Sequence, residues 1–403
     1  MQRIVRIAIG IGSLALMCPT GSAAQAQFAP QSEPDIEPPG RFCASVTSEG
    51  VDPGIWGRFE YLNLWAKGAT LPAPLATAGG SAGQGRLGAA DTTVLLDQVP
   101  DFSVIPGGRL TIGGWAGFDE ETWGGELTVF ETALRAAHFN VASAGVGGPW
   151  LAVPFARTTP SGVDEASLVV AQPGVSHGQI GLDDALVLGG IEADAMLSLS
   201  DFLPGDRGRF NLLGGIGAFF LKERMQFVSN SVSMLGTSSV HSDIFLANNS
   251  FFGGDFGARY SYRWRRVLFE LTGRTAIGVN TPTLYVAGQS GLPFYTPRPN
   301  LLAPEGFFAQ PTNAGTFWVR NAFAVIPNTQ IRVGYDLTRH LRLTLGYEAL
   351  LWTRVLRAGD QLDWTVNLSQ LTGPLVGPAR PAVQTRASDF WAQGFTVGFQ
   401  LNY

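Results

Sequence analysis

The stretch WAQGFTVGFQLNY, residues 391–403, decides the fold class. Apolar residues occupy the odd positions from Phe395 to Tyr403, and polar residues or glycine occupy the even ones. Because successive side chains of a β-strand point to opposite faces, this pattern gives a strand with one apolar and one polar face. Strands of soluble proteins average about five or six residues, whereas membrane β-barrel strands need about 9–11. The stretch therefore predicts a strand long enough to cross a membrane.

Similar alternation recurs along the chain, and the connections between the alternating segments are alternately long and short. This spacing is typical of bacterial barrels, which have short periplasmic turns, longer extracellular loops and an even number of strands. The sequence predicts an all-β, transmembrane, antiparallel up-and-down barrel over residues 55–403. Pro327 interrupts one predicted strand, so twelve strands remain an alternative to ten. The ten predicted strands are 55–67, 108–118, 123–134, 188–200, 208–222, 251–264, 266–280, 316–337, 340–353 and 390–403, and the long gaps are 68–107, 135–187, 223–250, 281–315 and 354–389.

The N-terminus is typical of an export signal. Arg3 and Arg6 precede an apolar stretch at residues 7–17 that is too short for a membrane-spanning helix, which needs about 20 apolar residues. Small residues then lead to Ala24 and Ala26 of an A-x-A-like cleavage site. We expect residues 1–26 to be a cleaved signal peptide; a lipoprotein signal ending at Cys18 and a retained anchor are the alternatives.

The segment that follows the signal, residues 27–54, is rich in proline and is predicted to be a periplasmic lead-in to the first strand. Without the two arginines of the signal, the formal net charge of −5 becomes −7. A chain with this charge and no basic stripe is not expected to bind nucleic acid. Cys43 is the one cysteine left after cleavage, so no intramolecular disulfide is expected.

The polar faces of the predicted strands carry charges of both signs in near balance. Unpaired charges in a confined space cost several kcal/mol each, so we expect these side chains to pair across the lumen. A ten-stranded barrel is also narrow, because the open channels of porins need 16–18 strands. The lumen could be blocked by paired side chains or a folded-in loop. The residues predicted to face the lumen are Glu192, Asp194, Asp255, Arg259, Glu270, Arg274, Arg332, Arg342 and Glu348.

Aromatic residues mark the expected membrane boundary next to the short turns. An aromatic girdle is predicted at Phe118, Tyr262, Tyr335 and Tyr403. The last residues also fit the pattern at the ends of outer-membrane barrels, which resembles a signal for the barrel-assembly machinery. Gly398, Leu401 and Tyr403 carry that pattern. An exposed strand with a terminal aromatic can add to a sheet edge.

Several short blocks together resemble a family of β-barrel porins, number seven of its naming series, described from planctomycete-type bacteria. The resemblance covers residues 56 to 403 and implies an outer-membrane barrel with a porin role, and no catalytic residues. The blocks include GGRL at 107–110, NSFFGG at 249–254, PTN at 311–313, GYDLT at 334–338, RAGDQLD at 357–363 and FWAQG at 390–394.

No catalytic or metal-binding motif stands out. His138, His177, His241 and His340 lack metal-ligand spacing, and no G-x-S-x-G elbow is present. No enzyme activity, metal or cofactor is therefore expected. One alternative is a histidine–acid dyad in the long loops, formed with Asp183 or Asp243.

The sequence predicts a protein of the cell outer membrane that acts as a narrow diffusion pore or a structural envelope component. Its expected partners are outer-membrane lipid and, during biogenesis, the barrel-assembly machinery. One alternative is a barrel whose outer loops act as adhesin, receptor or hydrolase. Another is a soluble secreted β-sandwich.

Overall fold

A computed structural model describes residues 54–116, 123–199, 208–291, 302–303, 305–371 and 374–403. Ten antiparallel strands form a closed ring, because each pairs with its neighbours in sequence and β1 pairs with β10. The predicted ten-stranded barrel is confirmed. The strands are β1 (Ile55–Ala66), β2 (Ile105–Ala116), β3 (Trp123–Thr132), β4 (Ser176–Ser198), β5 (Gly208–Ser233), β6 (Ser238–Trp264), β7 (Val267–Gly291), β8 (Ala322–Asp336), β9 (Leu341–Leu356) and β10 (Ala387–Asn402).

The predicted strand at 316–337 is two strands, Gly315–Trp318 and β8, but the ring does not grow to twelve. Both pieces pair with the same strand, β7, one above the other. Pro327 lies inside β8, where it faces Thr275 of β7. The pairing of β8 with β9 ends at Asn328, so at Pro327 β8 pairs with β7 on one side and not with β9 on the other.

The outer surface of the ring is an apolar belt. Side chains that alternate with the buried ones are exposed, as Leu345 at 57% shows beside the buried Thr344. Burying such a surface in water-free surroundings is favourable, because it removes apolar area from water. Members of the belt include Leu110, Ile112, Leu127, Val129, Ile191, Phe252, Phe256, Leu271, Ile331, Val333, Val397 and Phe399.

Four neighbouring strands, β4 to β7, extend far beyond the others on the side of the long connections, here called the loop side. The extension consists of their residues 176–187, 223–233, 238–250 and 281–291 and is called the wall. Strand Arg135–Ser143 pairs with its β4 edge. The prediction of a long loop at 223–250 is wrong, since only residues 234–237 connect β5 to β6. Parts of the predicted loops 135–187 and 281–315 are likewise strands.

The remaining loop-side segments fold into a cap against the inner face of the wall. The cap contains a second sheet of short strands and two 3₁₀ helices, Gly359–Gln361 and Leu368–Leu371. Its core buries Leu75 and Phe155 of the cap against Phe227 and Phe245 of the wall. The cap strands are Ala76–Gly79, Thr93–Leu96, Trp150–Thr159, Gly162–Ala171 and Thr365–Val366, and the two-residue strand Leu302–Ala303 pairs with β7.

No helix within the described ranges is long and apolar enough to cross a membrane.

Candidate functional site

The interior of the barrel holds a layer of paired charges, here called the ion-pair layer. The nine residues predicted to face the lumen all point inward, and their side chains are at most 9% exposed. Bidentate pairing is clear at Arg259, whose Nη1 and Nη2 donate to Glu126 at 2.9 and 2.7 Å. Arg332 Nε donates to Glu60 Oε1 at 2.9 Å and its Nη1 to Glu270. The charges therefore pair across the lumen.

Four carboxylates surround one guanidinium in this layer. Arg274 contacts Asp255 at 2.6 Å, Glu192 at 3.4 Å and Glu126 at 3.7 Å, and it also bonds Asp194. Such a cluster links four strands at once, because Glu126 lies on β3, Glu192 and Asp194 on β4, Asp255 on β6 and Arg274 on β7. Removing the shared cation would leave several buried carboxylates facing one another.

A second layer, above the ion pairs on the loop side, is apolar and is built by the barrel strands themselves. Phe219, Phe251 and Trp352 meet with ring centroids 5.8 to 6.4 Å apart. Each of the three side chains is at most 4% exposed. Leu62, Leu188 and Phe390 complete the same cluster. Most side chains of the apolar layer stand on barrel strands and pack across the lumen, and Phe102 of the connection between β1 and β2 joins them.

The plug lies above the apolar layer and consists of residues 356–363, after β9. Arg357 Nε and Nη2 donate to the two oxygens of Glu223 at 2.9 and 2.7 Å, and the N–H of Ala358 donates to the same carboxylate at 2.8 Å. Both charged side chains are almost fully buried. Fork-shaped pairs of this kind are among the strongest hydrogen-bonded contacts, so the plug has a firm anchor on the wall.

Asp184, fully buried, lies against the carboxylate of Glu223. No N–H or O–H group of the described residues donates to either Asp184 oxygen. Burial and the neighbouring charge of Glu223 raise the pKa of Asp184 well above its usual range. The pKa of Glu223 is lowered instead, chiefly by Arg357, against the effect of its burial. These pKa directions favour the proton on Asp184 and the negative charge on Glu223, beside Arg357.

Amide side chains hold the plug backbone at a second point. Asn249 Oδ1 accepts from the N–H of Leu356, and its Nδ2 donates to the carbonyl of the same residue, both at 2.8 Å. The Asn280 Nδ2 donates to Asn249 and to the carbonyl of Arg354 at 3.0 and 3.1 Å. An asparagine side chain here replaces a neighbouring strand for one residue, which explains how a loop can run inside a barrel without losing its backbone hydrogen bonds.

Asp243 on the wall anchors another part of the cap. Its Oδ1 accepts from the N–H groups of Phe308 and Ala309 at 2.9 and 2.7 Å. Burial raises the pKa of Asp243 to about 7, although these backbone donors act against the shift. Phe307 and Phe308 are buried in the cap core, so the carboxyl fixes the backbone that carries these two aromatic rings.

The structure brings one predicted histidine–acid pair together but gives it no nucleophile. His138 Nδ1 lies 2.5 Å from Asp183 Oδ1, and both side chains are more than half exposed on the outer face. Among the described residues, the pair bonds no serine, threonine or cysteine. His241 contacts Ser290 at 2.7 Å and has its pKa lowered by burial, but no carboxylate bonds it. No group of three metal-binding side chains occurs in the described ranges.

The other predicted sites lie as follows. Tyr335 and Tyr403 are exposed on the outer face at the turn side, and Tyr262 is half-buried there. Gly398 and Leu401 lie on β10 opposite Glu60 and Gly57 of β1. The N–H of Tyr403 donates to the carbonyl of Ile55 at 2.9 Å. Ala24, Ala26 and Phe118 lie outside the described residues.

Sequence reasoning missed the plug anchor and the inward position of Arg109 in the ion-pair layer. Arg109 alternates with Leu110 and Ile112, so its inward position was readable from the strand pattern. The link between Glu223 and Arg357 joins residues far apart in sequence, and no local pattern signals it. In the sequence, the block at 357–363 shows a resemblance to a family and no sign of an ion pair.

Comparison with known proteins gives a family and a set of distant structures. A protein-family model described as putative beta barrel porin-7 matches residues 56–403. The chain belongs to this family. No curated protein matches the sequence.

Among solved structures, this chain is similar at low identity to several outer-membrane proteins, of which three follow. The Escherichia coli outer membrane protease OmpT matches with a TM-score of 0.37 and 11% identity, over 88% of this chain and 98% of that one. The P. putida toluene transporter TodX gives 0.17 and 8%, over 87% and 90%. A Pseudomonas aeruginosa FadL homologue gives 0.18 and 8%, over 86% and 89%. At these TM-scores we infer nothing about the chemistry of this chain.

Proposed function

We propose that this protein is an outer-membrane barrel whose lumen is closed, and that it serves as a structural envelope component carrying a folded cap. The observation that supports this most is the filling of the lumen by two successive layers, one of ion pairs and one of aromatic and aliphatic side chains. Close-packed side chains leave no path for hydrated solutes. The family supports a barrel; the closed lumen favours the structural role over a diffusion pore.

Conductance in planar bilayers tests the closed lumen. The detergent-refolded protein, shown to be folded by a heat-modifiable shift on a denaturing gel, should give no discrete conductance steps. A porin with an open channel, reconstituted in the same bilayers, serves as the positive control. Reproducible steps from the folded protein would contradict the closed lumen and favour the narrow diffusion pore. A protein that stays folded and soluble without detergent would favour the secreted β-sandwich.

We also propose that the loop side faces the outside of the cell and that the short turns lie in the periplasm. The length asymmetry between the two sides supports this orientation. Single cysteines at Leu235, which is 93% exposed on the loop side, and at Arg265 in a turn test it. In a Cys43→Ser background, a membrane-impermeant reagent should label intact cells at position 235 and not at 265. The reverse pattern would refute the orientation.

A second candidate function places the work in the cap, as an adhesin or receptor. The observation that favours it is that the loops fold into a cap that packs against the wall in a shared apolar core. Deleting the hairpin 150–171 should then reduce the attachment of cells to surfaces while the barrel keeps its gel shift. Unchanged attachment, with the truncated protein present at the cell surface, would remove this candidate.

A further inference from the structure

The turn-side end of the lumen contains a chamber of about 70 Å³ that the functions proposed above do not use. Among the described residues, its lining includes four arginines, Arg58, Arg209, Arg259 and Arg342, and one acidic residue, Glu270. A volume of 10–15 Å³ admits one water molecule, so the chamber can take several waters or one small ion.

Arg58 pairs weakly for a buried cation. Its side chain is 5% exposed, yet its one hydrogen bond is a 3.5 Å contact from Nη1 to Glu270 Oε1. The Nε has no hydrogen-bond partner, and the carboxylate of Glu60 is 4.0 Å away. A guanidinium carries five N–H donors, and leaving buried donors without acceptors costs free energy.

The two carboxylates near Arg58 are already bonded to other arginines. Glu270 Oε1 is held closely by Arg332 and lies 3.8 Å from Arg259 Nε. Glu60 accepts from Arg332 at 2.9 Å and lies 3.5 Å from Arg109. Neither acid can move toward Arg58 without weakening a shorter ion pair. Among the described residues, no further acceptor reaches Arg58, which lines the chamber.

Two other arginines of the lining have close carboxylate partners. Arg259 donates to Glu126 at 2.9 and 2.7 Å, and Arg342 donates to Asp336 at 2.6 Å. Arg58 has no carboxylate partner at such a distance.

We propose that this chamber is a binding site for a small oxyanion. Arginine matches the geometry of carboxylate and phosphate oxygens, and the Arg58 guanidinium is held in place over the ring of Trp56, with 5.1 Å to the centroid. Asn211 and Ser261 in the lining supply neutral hydrogen-bonding groups. The ligand is either a free ion or the anionic end group of a larger molecule that enters from the turn side.

The test is the binding of inorganic phosphate and of acetate to the folded, detergent-solubilised full chain at constant ionic strength, by calorimetry. The wild type should bind at least one of them saturably. Arg58→Gln should weaken binding about tenfold, since hydrogen bonds to a charged group are lost. Asn211→Asp, which adds a carboxylate to the lining and keeps every arginine, should abolish binding. Arg224→Gln, an exposed arginine on the outer face, is the matched control and should bind as the wild type does.

Folding of each variant is checked by the heat-modifiable gel shift, so a loss of binding is read only from folded protein. Glycerol phosphate in place of phosphate distinguishes the two ligand sources. Binding of both favours an end group of a larger molecule, and binding of phosphate alone favours a free ion. The proposal is overturned if the folded wild type binds neither phosphate nor acetate saturably, or if folded Arg58→Gln and Asn211→Asp bind as tightly as the wild type.

Discussion

Replacing Arg357 by methionine should destabilise the folded protein by about 3–5 kcal/mol, the range measured when one partner of a buried ion pair is removed. Methionine keeps an unbranched stem over the ring of Phe390, which the guanidinium now covers at 5.2 Å. What is lost is the fork to Glu223, at 2.9 and 2.7 Å, between side chains that are 3% and 0% exposed. Glu223 and Asp184 would then hold a buried negative charge with no cation beside it.

Urea unfolding of the protein in lipid vesicles, followed by the gel shift, gives the free energy of unfolding. Arg380→Met is the matched control, because Arg380 lies on the same connection and pairs with Asp363 at 2.8 Å but is 42% exposed. A partly exposed pair contributes about 0–1 kcal/mol. The double variant Arg357→Met, Glu223→Gln should recover part of the loss. If Arg357→Met and Arg380→Met cost the same, the plug anchor does not carry the stability assigned to it.

Other predictions concern titration, the lipid face and assembly. The folded state keeps the proton of Asp243 up to about pH 7 whereas the unfolded chain releases it near pH 4, so stability should fall by at most about 4 kcal/mol as pH rises through that window. Asp243→Asn should flatten this slope in pH-dependent urea titrations. Leu345→Arg, at a predicted midplane site, should cost about 2–4 kcal/mol in vesicles. Thr344→Val should cost little, because the Thr344 hydroxyl has no partner; equal costs for these two changes would contradict the assigned faces. Deleting Tyr403 should lower the amount of assembled barrel in cells more than refolding yield in vitro, and equal losses would argue against an assembly signal.

The barrel strands could be predicted because their side chains alternate between an apolar outer face and a polar, packed inner face. This alternation gives the polarity of the sequence a period of two. β10 shows this throughout, and its predicted bounds differ from the observed ones by a few residues. The wall was missed because the polarity of the two faces reverses there. Met225 and Phe227 point inward against the cap, while Arg224 and Gln226 point outward.

The apolar layer could not be predicted either. Phe251 faces inward and Phe252 faces outward, so the alternation of polarity disappears just where the lumen is filled. A sequence with aromatic residues on both faces of a strand does not show which of them meets lipid. The pairing of lumen charges was predictable in aggregate, because buried charges need partners. Which charges pair depends on strand register and on the connection that enters the lumen, and neither is written in a local pattern.

The wall also sets how far the protein reaches from the membrane. From Lys222, where the outer face becomes polar, β5 continues to Ser233. At about 3.3 Å per residue and a tilt of roughly 40°, that length rises roughly 25–30 Å. With the loop side outward, as proposed above, the exposed hairpin end at Leu235 is accessible to an antibody or a bacteriophage. The short connection 234–237 is accordingly the place to insert an epitope tag. It lies away from the pairing of β1 with β10 that closes the barrel, and it contributes no residue to the cap core.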